Sequence, residues 1–356
     1  MTLRLTWKRV IVTLVGLALA GLLFAWSGLM QISASSGHWA VTDWFLHWTM
    51  QNSVRTYSTF QTPAKVRDDT ALVSAAGHFR QACQVCHGAP GHRPSPVMQS
   101  ATPPAPDLAK VAGHYTDREL FWIVKHGVKF TGMPAWPTPE RPDEIRRMVG
   151  FLRALPAMSP QRYEELTAPR PSSAPESAPP LARSLAACTG CHGSDGMGRE
   201  QSDIPIIAGQ KADHLYHTLR AYAAGSRQSG AMQVAAAALD EAQMRALADH
   251  FAALPGLRDV PLAATHPLLV GGDRRKQLPA CASCHAPGRK APYIAGQHAA
   301  YLTGRLEAWQ GEETTIDAHK PQVPMPVIAR RIPADQIAPL ARALSQQQTA
   351  PKREPH

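Results

Sequence analysis

Cysteine is scarce in this chain of 356 residues. There are six, too few for a small secreted scaffold built on disulfides. Aromatic residues are sparse at 6%, so cores of ordinary size would be thinly supplied with large side chains. Charged residues make up 18% and hydrophobic residues 44%, a balance that excludes wholesale disorder. What the chain has in quantity is proline, 32 residues, and positive charge, a formal +10. Length alone sets a prior of one to three domains at roughly 100–200 residues each.

Residues 10–30 carry no charge, Arg4, Lys8 and Arg9 precede them, and the next charged residue is Asp43. About 20 apolar residues at a 1.5 Å rise cross a hydrocarbon core of roughly 30 Å. Positive charge on the near side puts a cytoplasmic basic end at 1–9, an anchor at 10–30 and the rest outside. A cleaved signal peptide is the alternative, although its apolar region is about 7–15 residues and this one is longer. Residues 41–59 follow as an expected amphipathic helix, with Val41, Trp44, Phe45 and Trp48 on one face. Tryptophan near a span suits a membrane interface. Packing on the first domain or on a partner is the other reading.

All six cysteines fall in one motif. They occur as Cys83-Gln84-Val85-Cys86-His87, Cys188-Thr189-Gly190-Cys191-His192 and Cys281-Ala282-Ser283-Cys284-His285. Each is C-x-x-C-H, the attachment signature of haem c: two thiols add across two vinyl groups and the adjacent histidine reaches the iron. A structural zinc takes four ligands, commonly from two C-x2-C pairs, which would strand the third pair. A thioredoxin-like site needs one C-x-x-C in a strand-to-helix setting. Three histidines so placed by chance have a probability on the order of one in ten thousand at this histidine content. The expected cofactors are three covalently bound haem c groups (iron), held by Cys83, Cys86, Cys188, Cys191, Cys281 and Cys284 with His87, His192 and His285 as iron ligands.

The chain then divides into three haem units. Residues 169–180 interleave five prolines with serine and alanine, a semi-extended linker, and a shorter break falls near Pro255 and Pro261. The expected units are 66–160, 181–258 and 262–347, with a Pro-rich linker at 161–180 and a polar tail at 348–356. The second and third units repeat each other. Pro-Ile-Ile-Ala-Gly-Gln at 205–210 matches Pro-Tyr-Ile-Ala-Gly-Gln at 292–297, and Met232 and Met325 each lie 41 residues after the second cysteine of their motif. Each unit reads as all-α. A helix leads into the motif, for example over 72–83. A middle helix follows, opened in the first unit by a capping-box pattern at Thr116 and Glu119 and lined by Leu120, Ile123 and Val124. A last helix closes each unit at 143–155, 240–254 and 333–344. Units of about 80 residues bury limited cores, so they are expected not to fold stably without haem.

The opposite iron position separates carrier from catalyst. Met325 is the only methionine after His285. In the second unit Met197 is too near its motif to wrap a haem and Met244 reads as core, leaving Met232. In the first, Met148 lies on the apolar helix face, and Met133 sits in the turn Gly132-Met133-Pro134-Ala135-Trp136. Met98 competes there as well. The expected methionine ligands are Met133, Met232 and Met325. Bis-histidine ligation through His126, His217 or His319 is the rival.

On these residues the three units resemble class I c-type cytochrome domains. The second and third together are similar to dihaem cytochromes of two fused c domains, through the Ala-Gly-Gln turn and the Met232 to Ala236 stretch. The segment around Gly132-Met133-Pro134 is similar to the loop of single-domain members. The resemblance implies His/Met ligation and a backbone carbonyl of Pro106, Pro205 and Pro292 for each motif histidine. Three haem c groups on one anchored chain also resemble cytochrome subunits of bacterial membrane dehydrogenases.

Six propionates, with the anchor's three cations left behind, reduce the exported charge to about +1, so nucleic acid is not expected as a partner. Basic clusters at Arg146-Arg147, Arg274-Arg275-Lys276 and Arg330-Arg331 are candidates for an acidic partner. The expected fold is three small class I cytochrome c-like helical domains after a transmembrane helix. The expected function is an anchored electron relay between redox proteins, a membrane dehydrogenase or terminal oxidase of the respiratory chain, in the periplasm of a bacterial inner membrane, with no catalytic residue. The alternatives are a multihaem peroxidase or reductase with one open iron, or a docking subunit of a larger complex.

Overall fold

The structure is a computed structural model, which describes residues 6–167, 180–199, 201–310 and 324–347. The Pro-rich stretch at 168–179, the tail at 348–356, Arg4 and His319 lie outside the described residues. The described residues are almost wholly helical and contain no strands, only two isolated bridges, Ala89 with His92 and Asp273 with Leu278.

Helix α1 (Trp7–Trp26) has no buried residue and is long and apolar enough to cross a membrane. It ends four residues before the uncharged run does, because the Ser27 hydroxyl bonds back to the Phe24 carbonyl and Gly28 turns into the left-handed region. Helix α2 (Ala40–Gln61) is divided along its length. Its last turns pack on the first unit: Tyr57 stacks on Trp122, whose Nε1 donates to Gln61 Oε1 at 2.9 Å. Its first turns do not, and Trp44, Phe45 and Trp48 are at least half exposed.

In the first unit, α3 (Leu72–His78) passes through a π-helical turn at Phe79–Cys83 into the short helix Gln84–His87. The π turn rotates the cysteines relative to the buried face set by Val73, Ala76 and Phe79. Helix α4 (Asp117–His126) opens with the expected reciprocal Thr116–Glu119 capping box. Helix α5 (Pro142–Ala154) buries Ile145, Met148, Val149 and Leu152 at helical spacing. Helix α6 (Pro160–Thr167) corrects the expected start of the linker at 161. It is part of the first unit: Tyr163 is fully buried against Phe79 and Phe151, and its hydroxyl donates to Gln84 Oε1 inside the haem motif at 2.6 Å. Tyr163 and Leu166 recur at i, i+3, a period masked in the sequence by the proline run that follows.

The second unit contains α7 (Pro180–His192), α8 (Ala212–Ala223), α9 (Gly230–Ala237) and α10 (Glu241–Ala253). The third contains α11 (Ala299–Ala308), α12 (Met325–Ala329) and α13 (Ala334–Ser345). Its lead-in departs from expectation. Instead of one helix it has Pro267–Val270, a turn closed by the Asp273–Leu278 bridge, and Ala282–His285. Gly271, Gly272 and Pro279 interrupt the helix, and Gly272 adopts φ +65°.

The units touch through both apolar and polar contacts: Ile204 of the second unit joins the first unit's core, and Tyr293 of the third packs on Ile206 of the second. Gly77 of α3 meets α7 so closely that an added Cβ would lie 2.6 Å from Cys191 Sγ. Arg147, expected as part of a surface basic cluster, turns inward and pairs with Asp143 at 3.3 Å and with Asp203 of the second unit at 3.6 Å.

Candidate functional site

Each motif histidine sits at the C-terminus of a helix and is held by one further bond. The Nδ1 of His87 donates to the Pro106 carbonyl at 2.8 Å, that of His192 to Pro205 at 3.2 Å, and that of His285 to Pro292 at 2.7 Å. A carbonyl can only accept, so the proton is on Nδ1 and Nε2 keeps its lone pair for a metal. Burial lowers the pKa of all three rings, against the opposing effect of the carbonyl bond, so each is neutral at pH 7.

Cys188, His192 and Met232 line one apolar cavity of about 530 Å3 together with Cys281, Cys284, His285 and Met325. The candidate residues of the second and third units thus converge on shared space, of a size typical for cofactor sites. The first motif lies outside that cavity. Met133 is half-buried in its turn, with its carbonyl accepting from Val128 N at 3.2 Å. Gly127 makes this turn possible: at φ +64° an added Cβ would fall 2.5–2.6 Å from Pro134 C and Met133 O.

The competing residues separate by position. Met148 and Met244 are core residues, 2% and 6% exposed, whereas Met98 and Met197 lie at the surface. His126 packs against Trp122 in a tilted arrangement, with ring centroids 5.0 Å apart. His217 lines the shared cavity with Met232, so the cavity holds both kinds of candidate for the second unit.

Two models of known families match the chain. Cytochrome C oxidase, cbb3-type, subunit III matches residues 70–152, and Cytochrome c matches residues 182–254. Among curated proteins, the thiosulfate dehydrogenase electron acceptor of Thiomonas intermedia (strain K12) is 33% identical over 186 residues, which are 49% of this chain and 83% of that protein. The protein of the same description from Stutzerimonas stutzeri (strain A1501) is 32% identical over 167 residues, 44% of this chain and 76% of that one. Cytochrome c4 of Pseudomonas aeruginosa is 29% identical over 142 residues, 37% and 70% of the two chains. The chain is a class I c-type cytochrome.

Covalent haem c is therefore the cofactor of these domains, and the residues of the cytochrome fit it. All six cysteines are free of disulfides. Burial pushes the Cys83 and Cys188 thiols up to about 12 and those of Cys191 and Cys281 up to about 11, unlike the depressed values of a redox-active C-x-x-C. Among the described residues no three of His, Cys, Asp and Glu converge as on a structural zinc.

The sequence motif Ala-Gly-Gln acquires a role that spacing did not reveal. Gln297 Oε1 accepts from Ile206 N at 2.8 Å and its Nε2 donates to Ile206 O at 2.9 Å. Gln210 does the same for Tyr293, at 2.9 Å for both bonds. Each unit's glutamine thus pairs with the other's backbone, as in a two-fold interface. His214, also missed, lines the cavity, and burial among Arg227, His285, Arg305 and Lys211 lowers it to about 3. The signal was present in the repeat: at the same offset the third unit has Tyr301.

Proposed function

We propose that this cytochrome is a membrane-anchored trihaem carrier that relays single electrons between redox proteins of a bacterial respiratory chain, on the periplasmic face of the inner membrane. The observation that carries the reading is one arrangement repeated three times: two cysteines, an adjacent histidine fixed through Nδ1 by a proline carbonyl, and a methionine later in the same unit. The residues that would hold the three irons are His87 with Met133, His192 with Met232 and His285 with Met325. Iron held by histidine and methionine exchanges one electron between ferrous and ferric states with little change of coordination. The chain's own part is to hold those ligands, exclude water from the shared cavity and present the units to partners. No side chain is assigned as acid, base or nucleophile.

The length and apolar composition of helix α1 support an anchor retained in the mature protein, and the exposure of Trp44 and Trp48 on the first turns of α2 supports contact with a headgroup layer. Because α2 docks on α4, the first unit would stand nearest the membrane. The relatives named as thiosulfate dehydrogenase electron acceptors make an enzyme of that class the proposed donor. The match of residues 70–152 to an oxidase subunit makes a terminal oxidase the proposed acceptor.

A second reading, a multihaem peroxidase or reductase with one open iron, draws on the position of Met133, which is only half-buried and outside the shared cavity. Carbon monoxide added to the reduced native protein separates the two. The carrier reading expects no binding and three haems per chain. Binding at one haem would establish an open iron and end the pure-carrier reading.

A further inference from the structure

Glu144 lies in the first turn of α5, with its side chain 10% exposed. It meets donors from both sides of the junction between the first and second units. From its own unit come Trp136 Nε1 at 3.3 Å, Thr138 Oγ1 at 3.2 Å and the Arg141 guanidinium at 3.4 Å. From the second unit come Ser229 Oγ and Gly230 N, both at 2.7 Å. Ser229 is the N-cap of α9, and its hydroxyl oxygen accepts from Met232 N at 3.3 Å. Trp136 closes the turn that contains Met133. One buried carboxylate therefore connects the Met133 turn to the start of the Met232 helix.

The junction is shaped for this contact. An added Cβ on Gly230 would fall 2.7 Å from Trp136 Nε1 and 3.2 Å from Glu144 Oε2, so only glycine lets the backbone N–H reach the carboxylate. Arg141 Nη1 also donates to Gln228 O at 2.8 Å, which holds the segment just before the cap. A carboxylate at a helix start is favoured by the exposed N–H groups there, and bonds to a charged acceptor are stronger than neutral ones.

We propose that Glu144 of the first unit is a positioning residue for Met232 of the second, so that docking of the first unit sets the sixth iron position of the next haem. The inference rests on the reading of Met232 as an axial ligand.

The test uses the full-length holoprotein with all haems attached. E144Q keeps the shape and removes the charge, E144A removes the side chain, and M232A is the reference. Methionine ligation is read from the near-infrared methionine-to-ferric-iron band, carbon monoxide binding and the potential of each haem. M232A is expected to open one haem. E144Q is expected to raise carbon monoxide binding at that same haem about tenfold, as loss of one charge-assisted bond implies, and to shift its potential alone. E144A should do more. A purely structural role would lower the unfolding temperature and leave the band and the potentials unchanged, which overturns the proposal. If M232A leaves all three haems closed, the ligand assignment itself fails and the proposal falls with it.

Discussion

The first unit and the second carry the same haem motif but differ in what fills their centres. The first has a core built mainly of its own side chains, in which Phe79, Phe121, Phe151 and Tyr163 meet Ile145 and Met148, with Ile204 of the second unit joining them. The buried apolar residues of the second are divided: Ile206 groups with Ala208 and Leu257, Tyr216 with Met244 and Ala248, and Leu247 and Phe251 are buried outside both groups. The cavity shared with the third unit lies beside these groups. With few aromatics to distribute, the chain spends them unevenly. The first unit can hold its helices largely by packing, whereas the second depends on its haem for apolar mass.

The largest effect should come from preventing haem attachment. At roughly 24 cal/mol per Å3, leaving open the second unit's share of a cavity of about 530 Å3 corresponds to several kcal/mol, a large part of the stability of a domain. Replacing Cys188 and Cys191 by serine is therefore expected to unfold the second unit and loosen the third. The same change at Cys83 and Cys86 should leave most of the first unit's helices protected. Hydrogen exchange measures both, and equal loss in the two would break the comparison.

Phe151→Ala should cost about 3–5 kcal/mol, concentrated in the first unit. A urea titration resolved by unit would contradict the core assignment if the second unit softened instead. Gln297→Ala strands the buried Ile206 N–H and carbonyl and should cost about 2–4 kcal/mol. Gln210→Ala should cost less, since its bonds are only part-buried. A double-mutant cycle reports whether the two act together.

The smallest effect is one of pH. Burial raises the Asp143 carboxyl, but the Arg141 bonds and the charges of Arg141, Arg147 and Arg146 outweigh it and hold it at about 2. A depressed folded value stabilises above the unfolded value near 3.8 and is lost as pH falls towards 2. The amount is about 2 kcal/mol. Asp143→Asn should flatten the acid limb of the unfolding curve between those values. An unchanged limb would remove this pair from the junction's energetics.

Local signals were legible where they had short range. The Thr116–Glu119 box, the Ile145 to Leu152 face and the last helices were read to within a residue or two, because capping and amphipathic period act over a few residues. Helix α6 was hidden by the prolines after it, and the broken lead-in of the third unit by the expectation of repetition. Arg147 was read as surface because its partner Asp203 is 56 positions away in the chain. Glu144 gave no signal at all. An acid in a first helical turn is ordinary, and nothing local says that the N–H groups it meets belong to another unit.

The sequence by itself determined the attachment chemistry, since C-x-x-C-H is a covalent and coordination requirement met within five residues. It also determined the helical class and the repeat of the second and third units. Only the tertiary structure decided that Gln210 and Gln297 pair across two units, and that Glu144 reaches the Met232 helix. Those arrangements join groups far apart in the chain, and they exist only once burial has removed the water that would otherwise satisfy each polar group alone.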